Sequence, residues 1–122
     1  MYVIDWDDAV VEVIELSGSV RFDFGARGHL LIFSGFELKS EKHVYQASEP
    51  SDLEEVAVEL VALRGQIVRD AEISALGVLS VGFASTRLVV RPIVDGEAFS
   101  LRQSQTPTVI VCGFGGEVFT WA

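Results

Sequence analysis

The chain has 122 residues, 49% of them apolar, and a formal charge of −9. Folding at this size buries roughly 65% of the unfolded surface, so a single domain can form a core without metals or disulfides. A lone cysteine, Cys112, excludes an intramolecular disulfide, and the excess of carboxylates argues against nucleic acid or an anionic membrane as partner.

The charge is uneven along the chain. The opening MYVIDWDDAVVEVIELSGSV carries Asp5, Asp7, Asp8, Glu12 and Glu15, and the first basic residue is Arg21. Residues 1–60 hold 13 acids against Arg21, Arg27, Lys39 and Lys42, whereas residues 61–122 hold five acids and five arginines. A signal peptide needs a basic start, and no apolar run approaches the ~20 residues of a membrane span. These features predict a soluble cytoplasmic protein. Its acidic field steers a basic partner, although simple solubility accounts for much of the same charge.

In chain order, SVRFDFG (19–25) alternates with Val20, Phe22 and Phe24 on one face, the period of a half-buried strand, and HLLIF (29–33) follows it. SEPSDLEEVAVELVALRG (48–65) predicts a helix over about 51–63. Ser51 and Glu54 make a capping box, Leu53, Val56, Leu60 and Leu63 form the apolar stripe, and Gly65 stands just past the end. VLSVGFAS (78–85) alternates again and leads to RLVVRP (87–92). EAFSLR (97–102), TVIVC (108–112) and EVFTW (117–121) read as three more strands, with Asp95–Gly96 and GFGG (113–116) as hairpin-type turns.

The stretch VEVIELSGSVRFDFGARGHLLIF resembles IVRDAEISALGVLSVGFASTRLVV, with Gly18 falling on Gly77, Phe24 on Phe83 and Leu30 on Leu88. This predicts an internal pseudo-repeat over about 10–36 and 67–92. The expected fold is α+β: one domain over 1–122, mostly antiparallel sheet from two related three-stranded meanders, with one amphipathic helix between them.

No catalytic set is evident. Asp5 and Asp7 share a side if IDWDD is extended, but calcium takes six or more oxygens and no EF-hand spacing follows. His29 and His43 are 14 residues apart without a zinc pattern. GFGGEVFTW lacks the helix and lysine of a phosphate loop. Cys112, in an apolar strand, reads as a buried and inert thiol. Arg87 and Arg91 share one strand face and suit pairing with acids on neighbouring strands. On the helix, Asp52, Glu55 and Glu59 form an outward acidic face in which Glu55 and Glu59 repel each other by about 0.2–0.5 kcal/mol. Trp6, flanked by acids, suits an interface anchor or a strand cap.

Leu63–Gly65–Ile67, Gly77–Leu79–Phe83, Glu97–Ala98–Phe99 and Cys112-Gly-Phe-Gly-Gly-Glu117 with Trp121 resemble the features of a family of small uncharacterised bacterial proteins, best represented in actinobacteria. The resemblance spans roughly 60–122 and implies no catalytic residues. In size and acidity the chain also resembles immunity proteins that neutralise bacterial toxins. The functional expectation is therefore a non-enzymatic, cofactor-free inhibitor that binds a basic protein partner through Asp5, Trp6, Asp7, Asp8, Asp52, Glu55 and Glu59, as monomer or homodimer. The alternative is a small-molecule-binding or sensory module with its pocket between the meanders.

Overall fold

Period-2 burial of apolar side chains organises most of the chain. The computed structural model describes residues 2–17, 19–48, 53–104 and 108–121 and, at Thr108 and Phe114, the backbone alone. Ser51 of the expected capping box, Asp52 and Gly18 lie outside the described residues. The strands are β1 (Tyr2–Val3), β2 (Val13–Leu16), β3 (Val20–Asp23), β4 (Gly28–Ile32), β5 (Phe36–Ser40), β6 (Val44–Ala47), β7 (Asp70–Ile73), β8 (Leu79–Gly82), β9 (Thr86–Val90), β10 (Phe99–Gln103), β11 (Thr108–Cys112) and β12 (Val118–Trp121). One helix, α1 (Leu53–Val61), separates β6 from β7.

The strands form two six-stranded sheets, ordered β1-β7-β8-β9-β5-β6 and β12-β11-β10-β4-β3-β2. Every strand pairing is antiparallel. The fold is therefore α+β and mostly antiparallel sheet. β2, β3 and β4 pair in succession in one sheet, and β7, β8 and β9 do so in the other. Phe22 lies opposite Leu30 in the first set, and Val81 opposite Leu88 in the second.

The strands that follow each set change sheets. β5 leaves β4 and pairs with β9, and β10 leaves β9 and pairs with β4. The crossing is pinned where Phe33 and Ser34 both donate backbone hydrogen bonds to the Ala98 carbonyl. This corrects one expectation: Asp95–Gly96 is not a hairpin turn. The edge of β9 that a returning strand needs is occupied by β5, and Pro92 has no N–H to extend the ladder. GFGG does join a hairpin, β11–β12, with Gly115 at φ 66° and Gly116 at φ 92°.

β5 and β6 were not anticipated, although FELKS alternates, burying Phe36 and Leu38 and leaving Glu37 and Lys39 outward. Outside the two sheets, residues 8–11 and 65–68 run antiparallel. Val11 donates to the Gln66 carbonyl (3.0 Å) and Val68 to that of Ala9 (2.8 Å), around a Val10–Ile67 bridge.

Both sheets and the helix feed one core, including Phe22, Leu30 and Phe99 from one sheet, Leu38, Leu79 and Leu88 from the other, and Val56, Leu60 and Leu63 from α1 and the turn after it. Each such side chain contributes roughly 1.5–3 kcal/mol of burial free energy. α1 lies against β2 and β6, the outer strands of the two sheets, and covers edges that otherwise offer unpaired backbone groups. The turn after it reaches Gly65, at φ 85° with open space around its Cα.

Candidate functional site

The N-terminal acids do not lie along an extended segment. Trp6 is fully buried, its ring centroid 4.4 Å from that of Phe24 and its Nε1–H donating to the Arg27 carbonyl at 3.1 Å. Trp6 is thus a core residue rather than an interface anchor. Its large apolar ring gains more from burial than the flanking acids can oppose, because the chain turns immediately afterwards and Asp8 takes φ 67°. Asp5 is drawn inward with it. The Asp5 backbone N–H donates to Gln103 Oε1 (3.0 Å), and both carboxylate oxygens are shut off from solvent without a hydrogen-bond partner. Arg27 Nη2 donates to the Asp5 carbonyl and stands 4.0 Å from the Asp7 carboxylate. Asp7 and Asp8 remain exposed. Of the N-terminal residues proposed from sequence, Asp7 and Asp8 reach the surface, and Asp5 and Trp6 support the turn that presents them.

The helix divides in the same way. Glu54 and Glu55 are exposed and have no ion pair among the described residues. Glu59 is not on a common outward face with Glu55, since it is half-buried and its Oε2 is shut from solvent without a hydrogen bond. The four-residue step from Glu55 turns Glu59 by about 40° around the axis, towards β5 and β6. Exposed Val58 and Val61 occupy the outer side instead.

The chain after α1 connects the helix with the N-terminal acids. Gly65 donates to the Val11 carbonyl (2.7 Å) and Arg64 Nε to that of Glu12 (3.2 Å), so the end of the helix lies beside exposed Glu12. Asp8 joins the same run through its N–H to the Val68 carbonyl (2.9 Å).

The cations are largely committed elsewhere. Arg87 makes a two-pronged contact with Asp70 (2.8 and 2.9 Å) and also reaches Ser80 Oγ. The pair spans β8 at Gly82, where a Cβ would lie 2.5 Å from Arg87 and 2.6 Å from Asp70, so glycine leaves the passage open. The Arg87 hydrogen bond holds the Asp70 carboxyl below its ordinary range, outweighing the opposing effect of burial. Burial alone raises the Glu37 pKa, but hydrogen bonds from Arg91 and Lys39 bring it down overall. Among the described residues only Asp7, Asp23, Glu37 and Asp70 are in ion pairs. Asp8, Glu12, Glu15, Glu54 and Glu55 therefore keep their charge open.

The described residues contain no cluster of three or more potential metal ligands. Cys112 is buried, and desolvation raises its pKa. The family model for DUF6188 matches residues 3–122. The chain belongs to this family of unknown function. No curated protein and no solved structure matches it.

The match to DUF6188 covers the acidic first half as well as the second. Several of the quoted family-like residues have structural roles. A Cβ on Gly77 would meet the Gly116 carbonyl at 2.7 Å, so the β7–β8 and β11–β12 turns touch backbone to backbone, while Leu63, Leu79, Ala98, Phe99 and Cys112 are core. Sequence reading missed a cavity of about 170 Å³ between α1 and the β5–β6 hairpin, lined in part by Ser40, Tyr45 and Glu59. The alternation in FELKS, followed by VYQA, was the available signal. No helix among the described residues is long and apolar enough to cross a membrane.

Proposed function

We propose that this DUF6188 chain is a protein-binding inhibitor, most concretely a bacterial cytoplasmic immunity protein that occludes a basic surface of a cognate toxin. The observation that carries this reading is the set of exposed carboxylates without an ion pair among the described residues, Asp8, Glu12, Glu15, Glu54 and Glu55. Glu12 lies beside the stitched C-terminal end of α1, and Glu54 and Glu55 lie in its first turn. Five of the nine basic residues are meanwhile occupied in ion pairs among the described residues. Like charges left unpaired in this way cost stability, and a cationic partner relieves that cost on binding. In sequence, Asp52 adds one more acid just before Leu53. The two three-stranded sets are, in this reading, related copies whose exchanged strands make a rigid platform beneath the surface.

Capture from lysate of the source organism at about 50 mM and about 500 mM salt, with mass spectrometry, tests the reading, because screening shortens the reach of charge from ~14 Å to ~4 Å over that range. The expected result is one stoichiometric basic protein held at low salt, released at high salt, and losing its toxicity when mixed with this chain. A captured partner that keeps full toxicity, or no salt-sensitive partner at all, overturns the reading.

A further inference from the structure

The cavity between α1 and the β5–β6 hairpin has the chemistry of a ligand site, independently of the outer acidic surface. Its walls include Leu38 from β5 and Leu63 from the turn after α1, both buried core residues that offer hydrocarbon. Ser40 at the end of β5, Tyr45 on β6 and Thr86 at the start of β9 supply three hydroxyls, and Glu59 supplies one carboxylate. Neither the Tyr45 nor the Thr86 hydroxyl is hydrogen-bonded to another described residue, whereas Ser40 Oγ is held by the His43 backbone.

Glu59 is the group that needs an explanation. It has no ion pair among the described residues, and its Oε2 lies out of reach of water with no donor to satisfy it. A carboxylate oxygen taken from water without a replacement donor is costly. The polar side chain nearest in sequence on the same wall, Gln66, does not relieve it, because its Nε2 donates to the Ala62 carbonyl. No Lys or Arg lines the cavity. A space of about 170 Å³ with an aliphatic wall, hydroxyl acceptors and one uncompensated carboxylate fits a short alkyl chain ending in a positively charged nitrogen. Such a stem would pack on Leu38 and Leu63, and its ammonium, with three N–H donors, would lie against the Glu59 carboxylate and the Tyr45 and Thr86 hydroxyls, which would accept from it.

We propose that this cavity binds an alkylammonium group, through charge-assisted hydrogen bonds to Glu59. The group is presented either by a free small amine or by the lysine side chain of a protein. The site does not depend on the inhibitor reading, since it lies inward of the exposed acids and needs no macromolecular partner.

Two-dimensional amide NMR of the full chain tests the proposal, with n-butylammonium as one probe and a blocked Ala-Lys-Ala peptide as the other. Both are titrated to ~10 mM, because ligands of so few heavy atoms bind weakly. The expected result is saturable shifts at Ser40, Tyr45, Glu59 and Thr86, with n-butanol as the uncharged control giving none. Glu59→Gln keeps the shape of the side chain and is expected to weaken binding about tenfold or more, whereas Glu55→Gln leaves it unchanged. Binding of the butylammonium alone identifies a free amine as the source. Binding of the peptide, alone or as well, identifies protein lysine as a competent source. Shifts spread equally over Glu54, Glu55 and Glu12, equal binding of n-butanol, or unaltered binding in folded Glu59→Gln overturns the proposal.

Discussion

Trp6 lies between two carboxylates in sequence and against the Phe24 ring in space. Its burial against Phe24, with the indole N–H satisfied by Arg27, makes it one of the largest fully buried side chains of the protein. Trp6→Ala is therefore expected to destabilise the fold by about 3–5 kcal/mol, read as a lower urea midpoint with an unchanged slope. A loss below about 1 kcal/mol, within the range of surface changes, argues that the ring is at the surface after all. The Arg87–Asp70 pair makes a smaller prediction with a definite sign. The folded-state pKa of Asp70 is depressed, so its contribution is present above the unfolded value of about 3.9 and is lost as pH falls below it towards the folded pKa. The two side chains are 42% and 53% exposed, which limits the contribution to about 0–1 kcal/mol. Asp70→Asn is expected to cost that much at pH 7 and 0.1 M salt, and the difference from the parent protein is expected to vanish in acid. Urea titrations at several pH values check it.

The residue-level roles were partly legible. A cysteine that ends the apolar run Val109–Ile110–Val111 reads as buried, and it is. Arginines two turns of pleat apart on a strand read as partners for acids, and Arg87 and Arg91 take Asp70 and Glu37. Trp6 and Asp5 were not legible, because their environment comes from Phe24, Arg27 and Gln103, which are distant in sequence.

At the level of elements, alternation and helical spacing located most strands and α1, since burial of one face is a local consequence of pattern. What escaped was pairing. The turn at Asp95–Gly96 has hairpin chemistry, but strand order is decided by which edge remains open. Gly28 sits at the corresponding decisive point in the other sheet. It has φ 123°, and a Cβ there would lie 1.8 Å from the Arg102 carbonyl oxygen, inside the β4–β10 ladder. Gly28→Ala is expected to cost about 3 kcal/mol and to loosen β10 first, seen as faster amide exchange at Ser100 and Arg102, whose N–H groups the register directs at β4. Wild-type exchange at those amides would mean that β4–β10 pairing tolerates the added methyl. Helical spacing also put Glu59 with Glu55, and the hairpin of β5 and β6 then took Glu59 out of that face. A helical pattern specifies angles around its own axis and says nothing about which neighbour fills the adjacent sector.

At the scale of the whole molecule, the charge of −9 is the excess of the first half, where 13 acids face four cations, and two of the second-half arginines, Arg87 and Arg91, are held by Asp70 and Glu37. If this surface steers a basic partner, charge reversal of Glu54 and Glu55 to lysine is expected to slow association about tenfold at low salt and to leave dissociation nearly unchanged. Stopped-flow or surface-based kinetics at two ionic strengths distinguishes this from a loss of contact, which instead raises the dissociation rate.

Composition and period alone determined that this chain is acidic, mostly antiparallel and helix-poor with a buried thiol, since these properties are sums and spacings along the chain. The tertiary structure alone decided that β5 and β10 exchange sheets, that Trp6 and Asp5 lie beneath the acidic turn, and that Glu59 faces a cavity. Each of these depends on contacts between residues far apart in sequence, and such contacts are chosen by the available edges and the shared core rather than by any local pattern.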